Sequence, residues 1–175
     1  MRTQMRTAVV TGASSGMGKE FVRQLGYFYK DLDEIWVIAR RKERLEALKK
    51  ESRVPVRIFE GDLLKKPVYK EYHRALKELC PDVRMLVNAA GFGKSGSFTD
   101  IAREGKKFQT DMVDLNCRAL TRRTQMTIPW RGRGSRIVNL ASAAAFCPQK
   151  DFAVYAATKA YVLSFSRALG SELKA

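Results

Sequence analysis

The sequence predicts a doubly wound α/β fold, a parallel sheet with helices on both faces. Three observations predict it. Short Val- and Ile-rich runs alternate with longer stretches of helical periodicity, the pattern of successive βαβ units. Those apolar runs are near-continuous rather than alternating, as strands buried on both faces are. A glycine-rich turn, Thr11-Gly-Ala-Ser-Ser-Gly-Met-Gly18, separates the first apolar run from the first helical stretch.

The elements follow in order. Thr7 to Val10 reads as strand one, with a helix from about Gly16 to Tyr29. Glu34 to Ala39 is strand two, followed by a charged helix through Ser52. Val54 to Glu60 is strand three, and Pro55 near its start fits an edge strand. A helix from about Pro67 to Cys80 leads to strand four, Arg84 to Asn88. Two helical stretches joined without a clear break fill Asp100 to Ile128. Arg136 to Ala141 is strand five, and Arg131-Gly-Arg-Gly134 before it reads as a connecting loop. A last helical run extends to Lys174. There is no internal repeat, low-complexity segment or interdomain linker.

The 175 residues fit one domain with a substantial core. Hydrophobic residues at 45% and charged residues at 29% are ordinary for a soluble globular chain. No apolar run reaches a membrane span, and the N-terminus has no signal-peptide core, so a cytoplasmic protein without a membrane partner is expected. Cys80, Cys117 and Cys147 are odd in number and scattered, which points to neither a disulfide framework nor a metal site. The net charge of +15 raises the question of a polyanionic partner. The cations are interleaved with acids, as between Arg40 and Lys50, and no aromatic-studded basic face is evident, so no nucleic-acid partner is expected.

The chemistry concentrates near the C-terminus. In Tyr155-Ala-Ala-Thr-Lys159 the phenol and the amine lie four positions apart, on one face of a helix. A free phenol, with a pKa of about 10, is a poor proton donor or acceptor at neutral pH, and an adjacent ammonium favours the phenolate. Ser142 follows the apolar run Ile137-Val-Asn-Leu-Ala141, so its hydroxyl is expected at a strand end, where groups that orient a substrate oxygen are found. Alone, a Tyr-x-x-x-Lys pattern is more often a core tyrosine and a surface lysine. The remaining motifs turn the reading toward function.

In the glycine turn, Gly12, Gly16 and Gly18 allow a tight bend and close approach of the backbone to a phosphate. The helix N-terminus beyond offers free N–H groups and a positive dipole end. At the end of strand two, where an acidic residue would bind ribose hydroxyls, Ala39 stands instead, followed by Arg40 and Arg41. A guanidinium there, Arg40 in the first place, can pair with a 2′-phosphate.

A serine, a tyrosine and a lysine in this order, with a Gly-x-x-x-Gly-x-Gly turn and basic residues after strand two, resemble the short-chain dehydrogenase/reductase family. The resemblance runs from Thr7 to about Lys174. It implies a Rossmann-like sheet of order 3-2-1-4-5 and an NADP-dependent oxidoreductase acting on a carbonyl or secondary alcohol, with NADP preferred over NAD. By resemblance, Gly12, Ser14, Ser15, Gly16, Met17, Gly18, Arg40 and Arg41 bind the cofactor. Asp62, before Leu63, matches the residue that bonds the adenine, and Asn88, Ala89 and Gly91 match the element after strand four. Asn116 matches a helix asparagine whose kink supports a proton relay, and Ser142, Tyr155 and Lys159 match the catalytic residues. Tyr155 and Lys159 also contact the cofactor in that scheme. A homodimer or homotetramer through the helices carrying Asn116 and Tyr155 is implied, and Phe92, Ala143 to Phe146, Phe152 and Val154 are expected to line the mouth of an apolar pocket.

The match departs from the family at the C-terminus, where members run on for several dozen residues beyond the active-site helix. The expectation is therefore a single dinucleotide-binding domain over residues 1–175, C-terminally incomplete relative to the family. Such a chain alone is expected to bind NADP weakly through its adenosine end and to show little or no reductase activity. The alternative is a catalytically weak or inactive nucleotide-binding fragment or regulator on the same fold.

Overall fold

Five strands, of which β1, β2 and β4 are strongly apolar, pair side by side into one sheet of order β3-β2-β1-β4-β5. A computed structural model describes residues 4–173; the last residues of the expected C-terminal helix, from Lys174, lie outside that range. The strands are β1 (Arg6–Thr11), β2 (Glu34–Ala39), β3 (Val56–Glu60), β4 (Asp82–Asn88) and β5 (Arg131–Asn139). The helices are α1 (Gly16–Phe28), α2 (Lys42–Glu51), α3 (Pro67–Leu79), α4 (Phe98–Arg103), α5 (Phe108–Val113), α6 (Leu120–Thr127) and α7 (Ala153–Glu172). The strand order is the one expected from the sequence.

Two compact units make up the described residues. The first comprises the residues up to Ala90 with Arg122–Val138, and the second comprises Gly91–Thr121 with the residues from Asn139 on.

In the first unit, β1 pairs in parallel with β2, from Thr7 opposite Glu34 to Thr11 opposite Ile38. It also pairs with β4, ending with Thr11 opposite Asn88. Alternate residues face opposite ways. Ala8, Val10, Ile35, Val37 and Val56 pack with Val22 and Leu25 of α1 and Leu45 and Leu48 of α2. On the other side, Trp36 and Phe59 meet Tyr72 of α3, with ring centroids 5.3–5.9 Å apart. Burying these aliphatic and aromatic side chains is the main stabilising term of the unit, at roughly 1.5–3 kcal/mol for each fully buried large side chain.

Arg123 of α6 is fully buried among these aromatics, its guanidinium 4.1 Å from the Tyr72 ring centroid. None of its three side-chain nitrogens has a hydrogen-bond acceptor among the described residues. Burial pushes the guanidinium below its ordinary pKa, and the aromatic faces supply its compensating attraction.

Three departures from the sequence expectation follow, at the start of β5, at its end and between α4 and α5. The segment Arg131-Gly-Arg-Gly134 is the beginning of β5, not a loop. A Cβ at Gly132 would collide with the Asp82 carboxylate, so glycine is what lets the strand pass there. At its other end β5 stops at Asn139, and the next carbonyl, that of Leu140, accepts a hydrogen bond from Lys159 Nζ at 2.7 Å. Between α4 and α5 the chain breaks at Glu104–Lys107, where Gly105 takes a φ of +66°; the expected continuous pair is interrupted. From α5 onward the helix does continue, through a π-helical turn at Asp114–Ala119, into α6.

Candidate active site

The first unit builds a phosphate-type cradle at the C-terminal edge of its sheet. Thr11, Ala39, Glu60 and Asn88 end neighbouring strands, so the segments that follow them leave from one edge. Thr11, buried, joins two of those segments. Its hydroxyl oxygen accepts from the backbone N–H groups of Ala89 and Ala90, both at 3.1 Å. Gly12 has φ +69°, and a Cβ on it would sit 2.8 Å from the Ala90 nitrogen. Gly18 is held to glycine for another reason: a Cβ there would run into the Gly12 carbonyl. Gly16 faces open space and needs its glycine for φ +53° alone.

The N-terminus of α1 stands at this cradle with no side chain capping it and no acid in its first turn. Its orphan N–H groups and positive dipole end are therefore available to an anion. Above the loop, the Arg41 guanidinium donates to the Ser14 hydroxyl at 3.0 and 3.2 Å and to the Ser15 hydroxyl at 2.6 Å. Arg40 is exposed and makes no hydrogen bond or ion pair among the described residues. The residue the structure joins to the glycine loop is thus Arg41, whereas the sequence reading puts the 2′-phosphate contact on Arg40, the first of the pair. Met17 is largely exposed. Asp62 turns one carboxylate oxygen to the Leu64 N–H at 2.9 Å, and the Leu63 carbonyl accepts from the Tyr69 hydroxyl at 2.7 Å. Asn88 is buried and donates to Thr124 Oγ1 at 3.1 Å.

The second unit gathers Asn116, Ser142, Tyr155 and Lys159. Tyr155 and Lys159 sit one turn apart on α7, with Lys159 Nζ 5.7 Å from the phenol ring centroid. Lys159 is buried, and that desolvation pushes its ammonium below the ordinary value of 10.5, while the nearby Cys117 thiol opposes the shift. Burial in turn pushes the Cys117 thiol up, against the pull of Lys159.

Asn116 lies in the π-helical turn, fully inside the unit. Its Nδ2 donates to the Phe92 carbonyl at 2.9 Å and to Thr158 Oγ1 at 3.0 Å, and its Oδ1 accepts from the Phe92 N–H at 3.1 Å. The wider turn accommodates this asparagine, the local helix irregularity expected at that position.

Two glycines shape the same region. A Cβ at Gly91 would sit 2.8 Å from Asn116 Oδ1, and one at Gly93 would sit 2.8 Å from the Tyr155 ring. Ser142 is three residues beyond β5 rather than at its end. Its oxygen accepts from the Ala144 N–H at 3.2 Å, capping a short 3₁₀ turn at Ala143–Ala145. The hydroxyl proton remains available for donation. Phe152 packs edge-on against Tyr155 at 5.7 Å, and Phe146 is largely exposed.

Sequence reasoning missed Thr11, Gly93, Cys117 and Thr158. Thr11 and Gly93 border recognised motifs and were within reach; the thiol and hydroxyl beside Lys159 have no spacing signal of their own.

Residues 6–175 match the short chain dehydrogenase family, and the chain belongs to it. An uncharacterized oxidoreductase of Staphylococcus epidermidis is 30% identical over 174 residues, covering 98% of this chain and 73% of that protein. A very-long-chain 3-oxoacyl-CoA reductase of Aspergillus terreus is 32% identical over 95% of this chain and 48% of its own length. Among solved structures, a short-chain dehydrogenase from Sphingobium yanoikuyae in complex with NADPH is 31% identical with a TM-score of 0.81, covering 97% of this chain and 66% of that one. The chain thus spans between about half and three quarters of the length of these relatives.

Proposed function

We propose that the chain is an NADP-dependent oxidoreductase carrying out reversible hydride transfer between a nicotinamide and a carbonyl or secondary alcohol. The family establishes the coarser class, an oxidoreductase. NADP as cofactor rests on the Arg41–Ser14–Ser15 cluster beside the glycine cradle, and is supported by the NADPH held in the Sphingobium relative.

The observation that carries the reading is the Tyr155–Lys159 pair. Lys159 is held at 2.7 Å by the Leu140 carbonyl and stands 5.7 Å from the Tyr155 ring centroid. A phenol and a buried amine held on one face of a helix are placed to pass a proton to and from a bound substrate, which gives Tyr155 the role of acid and base. Tyr155 gives its proton to a carbonyl oxygen in reduction and removes it from the hydroxyl in oxidation. Ser142 donates a hydrogen bond to the same substrate oxygen. Asn116 holds the Phe92 backbone that runs beside Tyr155 and Lys159, keeping both groups oriented.

The bound dinucleotide supplies or accepts the hydride. Of this chain's residues, Gly12, Gly16 and Gly18 and the uncapped α1 N-terminus would hold its phosphates, and Arg41 its 2′-phosphate. The substrate is expected to be hydrophobic, given Phe152 edge-on against the Tyr155 ring. A homodimer through the helices carrying Asn116 and Tyr155 accompanies this reading. The test is NADPH oxidation by the full-length gene product with a panel of aromatic and aliphatic ketones. Absence of turnover with all of them, with NADH as well as NADPH, would refute the reading.

A further inference from the structure

A cleft in the first unit lies between the C-terminal halves of α1 and α2, and none of its lining residues belongs to the glycine cradle or to the Tyr155 group. It has a volume of about 420 Å³ and is lined by Val22, Arg23, Tyr27, Phe28, Glu51 and Arg53, with Gln24 and Ser52 at its rim. That is within the roughly 300–1,000 Å³ range of small-ligand clefts.

Its chemistry is two-sided. Val22 is fully buried at the base, while Tyr27 and Phe28 are 52% and 67% exposed, two neighbouring aromatics left in water. Their rings meet edge to face at 4.9 Å. A lone exposed aromatic needs no explanation, but two beside an open apolar cleft are a patch that burial would stabilise.

The charges are unequal in status. Glu51, the lining acid, is consumed by Arg23 at 2.7 Å and Lys19 at 3.5 Å, and those contacts hold its carboxyl below the usual range. Arg53 and Lys30 have no carboxylate partner among the described residues. Both stand over the Tyr27 ring instead, at 5.0 and 5.4 Å from its centroid. Counting Lys19, Arg23, Lys30 and Arg53 against Glu51 and Glu20, the latter 3.9 Å from Arg23, the cleft carries a local charge of +2, with two cations free to meet an anion.

We propose that this cleft is a second ligand site, taking a small amphipathic anion. Its carboxylate or phosphate head pairs with Arg53 and Lys30, and its short apolar body lies over Val22 against Tyr27 and Phe28. The guanidinium fork suits either head group, and the aromatic wall supplies the apolar contact. The site is independent of the oxidoreductase reading, because none of its residues belongs to the glycine cradle or to the Tyr155 group.

The test uses the isotope-labelled chain with saturating NADP present, so that the cradle on the sheet edge is blocked. Octanoate and octyl phosphate are titrated while the amide signals of residues 22–28 and 51–53 are followed by NMR. Octanamide, of the same length but uncharged, and inorganic phosphate, the head alone, serve as controls. Saturable shifts confined to those residues are expected from one or both anions, and the tighter of the two identifies the head group. Octanamide and inorganic phosphate should each bind at least about fivefold more weakly. Arg53→Ala and Phe28→Ala both alter exposed side chains, so the fold should persist, and each should weaken the anion at least about fivefold. Equal binding of octanoate and octanamide, or unchanged affinity in both variants, would overturn the proposal. So would binding to phosphatidylglycerol vesicles with no response to monomeric octanoate, which would make this face a membrane surface instead.

Discussion

The side-chain amide of Asn116 closes on both backbone groups of Phe92, donating to its carbonyl at 2.9 Å and accepting from its N–H at 3.1 Å. A side chain here takes the place of a strand partner for one residue of an irregular segment. Asn116→Ala should therefore leave the Phe92 N–H and carbonyl to find water, at a cost of about 2–4 kcal/mol. Urea denaturation followed by circular dichroism measures it; a loss below about 0.5 kcal/mol would show that the loop does not depend on this amide.

Tyr155→Phe removes the phenolic proton and keeps the ring packing against Phe152. Turnover of an accepted ketone by the full-length gene product should fall at least about 100-fold, the lower end for general acid–base catalysis. NADPH affinity should change little. Steady-state kinetics with a fluorescence titration of NADPH separates the two effects, and near-normal turnover would take Tyr155 out of the mechanism.

Arg41 and Arg40 should behave differently although they are neighbours. Arg41→Ala removes the guanidinium over Ser14 and Ser15 and should weaken NADPH binding by roughly 1.5–3 kcal/mol, leaving NADH nearly unchanged. Arg40→Ala should cost less. Calorimetry with both cofactors decides it: equal losses for NADPH and NADH on removing Arg41 would mean that it does not read the phosphate.

Lys159 gives the fold a signed pH dependence. Its folded pKa lies below the ordinary 10.5, so the unfolded chain binds more protons between the two values, and stability rises with pH across that window. The burial penalty is present in full below the folded pKa and is relieved as the group deprotonates. Lys159→Met lacks this dependence. The urea midpoint of the unmodified chain should therefore climb relative to Lys159→Met as pH is raised toward 10; parallel curves would show that the ammonium carries no such penalty.

On α7, Tyr161 is 41% exposed, stacks on Phe165 with centroids 5.9 Å apart, and shares a 2.6 Å hydrogen bond with Thr121. If this face pairs with a second copy, Tyr161→Asp with Phe165→Asp should convert a dimer to a monomer at micromolar concentration. Light scattering reads the mass directly, and a monomer before mutation would dispose of the proposal.

The strands were legible because β1, β2 and β4 are short apolar runs bounded by turn signals, and their order followed from the family resemblance rather than from the runs themselves. The limits of β5 were not. Gly132 and Gly134 carry turn chemistry by type, and only the approach of Asp82 shows why a strand needs glycine there. At the site, spacing gave Tyr155 and Lys159, since a helix has one repeat. It favours Arg40, the first arginine after the strand, whereas which guanidinium folds back over a loop depends on the path of the chain after Ala39. Nor could it separate Arg123 from Arg122: one is fully buried between tyrosines and the other exposed, yet the two are identical in type and adjacent in sequence.

The contacts that fix Lys159 and the Phe92 segment end on main-chain atoms: the carbonyl of Leu140, and the N–H and carbonyl of Phe92. Every amino acid except proline brings the same atoms. The side chains at 92 and 140 can therefore drift without unseating Lys159 or Asn116. Residue 92 is a place where an engineer can change the side chain beside this segment while Lys159 and Asn116 keep their partners.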